Sequence, residues 1–291
     1  MKSCAADPGP RLPAGEKKRP GPGSAMQHCM LHCVRDTCDN RRGMTPAVLA
    51  LIGTTIVVSS FISGTFGMAG GMVLLGVLLV YFDVATTMIV FSIIQFFANG
   101  WRVMLWWRFV RWPIFWWYML GALFAAAALR AVAYVPDKAL VYFLLGIMPF
   151  AVDLLPARAR PNIEWRGVPF LTGVGTTIIQ ILAGVGGLFL DLFFQKSSLD
   201  RKTTIATKAP TQTFSHILRG AYFGSFGSVD GLGEPGMLWM LAGAVVLAVI
   251  GVSLTPYVIE RMSDTGFRRW TRAIIIAISL VYLARAAWLW W

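Results

Sequence analysis

Two glycine breaks at matching places in a long apolar chain constrain this sequence more than any other feature. The first reads Gly67-Met68-Ala69-Gly70-Gly71 and the second Gly184-Val185-Gly186-Gly187. Gly186 and Gly187 stand 116 positions after Gly70 and Gly71. Thr203, Thr204, Gln212 and Arg219 follow Thr86, Thr87, Gln95 and Arg102 by 117, and Pro235, Trp239 and Gly243 follow Pro113, Trp117 and Gly121 by 122. Slowly drifting offsets are what unequal loops in two copies of one unit produce. An apolar chain that is duplicated, broken by glycine and supplied with polar groups near the breaks has the pattern of a secondary transporter.

The chain is 56% hydrophobic and only 14% charged, with a mean hydropathy of +0.63. A soluble domain carries about 25% charged residues, so the composition defines an all-α polytopic membrane protein. Apolar runs favour helices over a barrel, whose strands alternate apolar and polar faces. Ten segments are expected, near 46–66, 71–82, 86–107, 113–134, 139–155, 168–184, 186–195, 203–224, 236–256 and 270–289. They divide into a first repeat over 44–156 and a second over 157–291. The second and seventh are short: twelve residues rise about 18 Å as a helix, against a hydrocarbon core of about 30 Å. They predict either full crossings or hairpins that turn back within the membrane.

A net charge of +12 raises the question of nucleic acid, but the basic residues sit in short loops between apolar segments. There they orient the chain by the positive-inside rule, and no nucleic-acid partner is expected. With the N-terminus outside, the cytoplasmic loops hold Arg108, Arg111, Arg158, Arg160, Arg166, Lys196, Arg201, Lys202, Arg261, Arg268, Arg269 and Arg272. The opposite side beyond residue 43 holds Arg130, Lys138 and Arg285. Matched loops carry opposite charge. Tyr81-Phe82-Asp83 has no basic residue where Lys196 to Lys202 has three, and Arg108 to Arg111 has two where Gly224 to Glu234 has none. The copies are therefore expected to be inverted relative to each other, as five helices per copy requires.

Residues 1–43 are rich in Pro, Gly and charge and read as a disordered extension. Met26 and Met44 are alternative start positions. The extension holds Cys4, Cys29, Cys33 and Cys38 beside His28 and His32. Its spacing fits no familiar zinc finger, and no metal or cofactor is expected.

The polar residues inside the spans are the candidate site. A helix opening at Gly70 and Gly71 aims N–H donors and its positive end at the break, and one at Gly186 and Gly187 does the same from the other copy. Two such ends meeting near the midplane make an anion site; the alternative is close helix packing through small residues. Segment eight carries a polar stripe of Thr203, Thr204, Thr207, Lys208, Thr211, Gln212, Ser215, His216 and Arg219. Segment three carries a thinner one of Thr87, Ser92, Gln95, Asn99 and Arg102. Such stripes line a bundle interior rather than face lipid. Gln95 and Gln212 are candidate oxyanion ligands through their amide N–H groups, with Lys208 a further candidate where the first copy has Phe91. Arg102 and Arg219 either snorkel to the interface or line the pathway with Asn99. Asp191, opposite Leu75 in the first copy, is expected to pair with Lys208 or to carry protons. His216 is a candidate for proton coupling too. No Gly-x4-Gly-Lys-Ser/Thr loop is present, which excludes that route to ATP energisation, and no nucleophile–base–orienter set suggests an enzyme.

The repeated turns, Gly64-x2-Gly67-x2-Gly70-Gly71 and Gly184-x-Gly186-Gly187, each followed by a polar helix, resemble the sulfite exporter TauE/SafE family over roughly residues 46–289. The resemblance implies a multi-pass carrier of sulfur-containing anions such as sulfite, thiosulfate or organosulfonates in a bacterial-type inner membrane. It also implies that the glycine turns and following-helix glutamines form the substrate site. The second turn departs from the pattern, with Gln180 and Ala183 opposite Gly64 and Gly67. The partners so implied are a small anion and the lipid bilayer; the sequence specifies no oligomeric state. The alternative is a membrane scaffold or accessory subunit for a sulfur- or metal-handling enzyme, in which residues 1–43 would be the working part.

Overall fold

The structure, a computed structural model, describes residues 46–66, 69–154, 161–226, 235–255 and 264–291. These form ten α-helices. They are α1 (Pro46–Phe66), α2 (Ala69–Tyr81), α3 (Val84–Trp106), α4 (Trp112–Val132), α5 (Lys138–Leu154), α6 (Val168–Ala183), α7 (Gly187–Phe194), α8 (Arg201–Gly224), α9 (Pro235–Ser253) and α10 (Asp264–Trp290). One 3-10 turn, Trp107–Phe109, joins α3 to α4. Each expected segment is a helix. The cysteine-bearing extension, Gly67, Asp230 and Glu234 lie outside the described residues.

Local sequence explains where the helices begin and end. Asp83 caps α3 by accepting from the Thr86 backbone N–H at 3.0 Å, and Asp200 caps α8 by accepting from that of Thr203 at 3.5 Å. These two caps are 117 residues apart, the same offset that relates the glutamines and arginines. A side-chain acceptor there satisfies one of the N–H groups a helix start leaves unpaired. Pro113 occupies the first turn of α4, where its missing N–H costs nothing. Helix α6 stops at Gly184, whose φ of +81° is the left-handed conformation that glycine adopts freely.

The most extensive helix contacts join the two copies rather than elements within one. Helix α3 packs on α8, α4 on α6, α5 on α10 and α1 on α9, while α9 also packs on α3 as α4 does on α8. Exchanging each helix with the one five places later turns this list into itself. Close approach through glycine makes the side pairs possible. A Cβ on Gly121 would stand 2.0 Å from the Phe170 carbonyl oxygen and one on Gly173 2.1 Å from that of Tyr118, while one on Gly251 would stand 2.6 Å from that of Val57.

The outer surface is apolar. Trp116, Trp117, Leu120 and Phe124 on α4, Leu238, Trp239 and Val246 on α9, and Leu280, Val281 and Trp288 on α10 are all exposed. In water so large a patch would drive association; in a bilayer it faces hydrocarbon. Among the described residues, four helical stretches are long and apolar enough to cross a membrane, Val84–Phe109, Trp112–Val132, Gly236–Ser253 and Arg272–Trp290. Helix α8 has 24 residues, enough to cross, but its polar stripe keeps it out of that apolar set. Its stripe turns inward and Ile217 turns outward, the reverse of a soluble amphipathic helix. Helix α2 has 13 residues and α7 has 8, rises of about 20 and 12 Å, both short of a bilayer core.

Candidate functional site

The glycine breaks close two hairpins in the same way. A Cβ on Gly70 would lie 1.9 Å from the Ser59 carbonyl oxygen and 2.8 Å from Ser63 Cβ. One on Gly186 would lie 2.5 Å from the Thr176 carbonyl oxygen and 3.1 Å from Gln180 Cβ. Ser59 and Ser63 precede Thr176 and Gln180 by 117, so each returning helix lies against the same two places of the helix before it. Gln180, which looked like a departure from the glycine pattern, is thus the counterpart of Ser63. A Cβ on Gly71 would stand 3.1 Å from Gln95 Nε2, so the first break lies directly against the α3 glutamine. Gly187 is buried at the start of α7.

Helices α3 and α8 bring their polar stripes into the centre. Thr87, Ser92, Gln95, Asn99 and Arg102 are buried on α3, and Thr207, Thr211, Gln212, Ser215, His216 and Arg219 on α8. Asn99 Nδ2 donates to the Gln95 carbonyl at 2.9 Å, and Arg102 Nη1 donates to Asn99 Oδ1 at 3.2 Å. Arg102 is 8% exposed and Arg219 0%. That removes the snorkelling alternative, because a snorkelling head group reaches water. Neither arginine has a described carboxylate within ion-pairing distance, whereas Lys208 forms an ion pair with Asp191.

Arg219 is held on four sides. Its Nε donates to Ser92 Oγ at 2.8 Å, its Nη1 to the Gly184 carbonyl and its Nη2 to His216 Nδ1 at 3.1 Å. The Phe91 ring lies 4.6 Å from the guanidinium carbon, a cation–π contact. Gln180 Nε2 reaches the same His216 nitrogen at 3.1 Å. Lys208 and Asp191 link α8 to the short α7, side chains 17% and 29% exposed. Their first-copy counterparts, Phe91 and Leu75, are both buried in one apolar cluster.

Tyr118, Ser60, Thr177 and Thr255 belong to this centre and stand outside the two stripes read from the sequence. Tyr118 on α4 is fully buried and shares a 2.7 Å hydrogen bond with Ser215 Oγ. The one tyrosine in α4, whose other side chains before Arg130 are aromatic or apolar, was the available signal, since a buried phenol needs a partner. The hydroxyls of Ser60, Thr87, Thr177 and Thr255 are buried without a protein hydrogen-bond partner. They add donors and acceptors to the interior from α1, α3, α6 and the stretch just after α9.

A helical chain that keeps arginine, lysine, glutamine and hydroxyls inside and tryptophan and leucine outside is a polytopic membrane protein. The family follows from the sequence match. The description "Sulfite exporter TauE/SafE" covers residues 51–282, and the chain belongs to that family of membrane transporters. No curated protein and no solved structure matches it.

Proposed function

We propose that the chain is a secondary carrier that moves a small sulfur-containing oxyanion or organosulfonate outward across the inner membrane. It works by alternating access and without ATP. The observation that carries this reading is the unbalanced charge of the interior. Arg102 and Arg219 occupy matched positions on paired helices and are buried without a described carboxylate partner, while the charge of Lys208 is met by Asp191. A buried cation costs several kcal/mol unless an opposite charge accompanies it, and a small anion supplies that charge.

Gly70, Gly71 and Gln95 from the first copy and Gly186, Gly187, Gln212 and Lys208 from the second form the substrate site. Asn99, Arg102, Arg219 and Asp191 supply the field and the route. The exchange relation among the helix contacts supports two inverted repeats that rock about this centre. Counterflow in proteoliposomes tests it, with sulfite, thiosulfate, sulfoacetate and sulfate each offered with and without a pH gradient. At least one sulfur-containing anion should exchange, and Gln95→Ala and Gln212→Ala should each lower its flux about tenfold by removing an amide hydrogen bond to a charged ligand. Wild-type flux in both variants would overturn the site, and no exchange of any of the four anions would overturn the carrier.

A further inference from the structure

We infer that His216 is a positioning residue: a neutral hydrogen-bond acceptor that fixes Arg219 against the second glycine break. It rests on the carrier reading above, but its chemistry can be checked separately.

The argument starts at Gly184. The last carbonyls of a helix have no partner within it and carry its partial negative charge. At the end of α6 that charge sits beside the start of α7, whose buried Gly187 begins the next helix. An anion approaching the α7 N-terminus would be repelled by it. Arg219 Nη1 occupies the Gly184 carbonyl, which cancels the negative end of α6 and leaves the positive end of α7 unopposed. The guanidinium must be held in one plane to do this. Ser92 takes Nε, Phe91 covers its face and His216 Nδ1 takes Nη2. Three of the five guanidinium N–H groups are thereby engaged.

The protonation of His216 follows from the same geometry. Two donors, Gln180 Nε2 and Arg219 Nη2, converge on Nδ1 at 3.1 Å each. A nitrogen receiving two N–H groups presents its lone pair, so the ring proton is on Nε2. A proton on Nδ1 would point at both donors, and with Nε2 protonated as well the ring would be an imidazolium against a guanidinium. The groups facing the ring from the other helices are Phe91 on α3, edge-on at 5.8 Å, and Gln180 on α6, neither charged; on α8 itself the charged neighbour is Arg219. Among the described residues no carboxylate contacts the ring to compensate a second positive charge. The expectation that His216 couples protons gives way to a fixed acceptor.

Substitution tests the acceptor position. Asparagine places Oδ1 near the position of the imidazole Nδ1, whereas glutamine reaches to that of Nε2. His216→Asn should keep KM for the transported anion within about threefold of wild type, and His216→Gln should raise it about tenfold or more, the size of one lost hydrogen bond to a charged group. Maximal flux should change little in either, a split that general unfolding does not produce. Equal KM values for the two variants would overturn the proposal. A second measurement needs no transport. In the full chain carrying His28→Gln and His32→Gln, nitrogen-15 spectra of the remaining histidine in bilayers should show the neutral Nε2–H tautomer from about pH 5 to about pH 8, across the range where a free imidazole titrates. An imidazolium at about pH 6, or an Nδ1–H tautomer, would overturn it. Absence of flux in the wild-type protein would count against the carrier alone, and the spectra would still decide the role of His216.

Discussion

Replacing Gly70 by alanine measures how tightly the first hairpin is closed. The new Cβ would stand 1.9 Å from the Ser59 carbonyl oxygen, and ordinary contact begins at 3.4 Å, so α2 must retreat from α1 by the difference, about 1.5 Å. The obstacle is backbone, which cannot swing aside as a flexible side chain can. The corresponding change at Gly186 meets the Thr176 carbonyl oxygen at 2.5 Å and needs about 0.9 Å. Overpacking of a close-packed interior costs about 1–3 kcal/mol, and alanine in a helix returns about 0.5–1 kcal/mol relative to glycine. Gly70→Ala should therefore lose about 1–2 kcal/mol net, and Gly186→Ala somewhat less. Gly243→Ala, where a Cβ meets nothing within 4 Å, should be neutral or gain about 0.5–1 kcal/mol. Thermal melting of purified protein in one detergent should rank the variants as Gly243→Ala, wild type, Gly186→Ala, Gly70→Ala, spaced by about 2–4 °C per kcal/mol. A Gly70→Ala protein that melts with or above wild type would refute the reasoning, because α2 would then not press on α1 as described.

The ion pair, and the contacts between the segment before α6 and the α7–α8 connection, give further tests. Lys208→Met leaves the Asp191 carboxylate in a half-buried place without its cation and should lower the melting temperature. Adding Asp191→Leu, which restores the apolar character found at Phe91 and Leu75, should recover most of the loss without recovering transport; failure to recover would show that the pair is not a local replacement of apolar packing. Exposed Glu164 accepts from the Ser198 backbone N–H at 2.7 Å and from its hydroxyl at 3.0 Å, while Asn162 donates to the Lys196 carbonyl at 3.0 Å. The Ser198 amide and hydroxyl hold the Glu164 carboxyl below the usual glutamate range. A depressed carboxylate favours the folded arrangement above its unfolded pKa and loses that contribution as pH falls through the folded one. Hydrogen exchange at the Ser198 amide should therefore be protected at neutral pH and open only in acid. Opening that is already complete near pH 5, above the ordinary range of about 4.3, would contradict this.

The helices were legible because each depends on a run of neighbours. Glycine breaks, aspartate caps and apolar runs lie within a few residues of what they determine, and the offset of 117 survives in Asp83 and Asp200 as well as in Gln95 and Gln212. The interior was legible only as two stripes. Arg219 meets Ser92 across 127 residues and Gly184 across 35, and no local spacing reports such meetings. Its position near a helix end suggested a route to water, but α8 is packed by α3, α4 and α6 and the side chain is fully buried among the described residues. Gln180 was misjudged for the opposite reason: counted from the glycines it interrupts a pattern, and counted from Ser63 it continues one. Tyr118 carried a signal in its phenol, yet nothing nearby pointed to Ser215.

The pairing of helices across the copies has a consequence for how the chain is made. Helix α3 leaves the ribosome long before α8, and α1 and α4 before α9 and α6, so the first copy enters the membrane with its main partners unsynthesised. Gln95, Asn99 and Arg102 must then wait beside lipid, water or the insertion machinery until the second copy arrives to enclose them. Each half is a template for the other and neither contains the interior alone. Cutting the gene between α5 and α6 and supplying both fragments together is therefore a different experiment from supplying either one, since only the pair encloses the arginines.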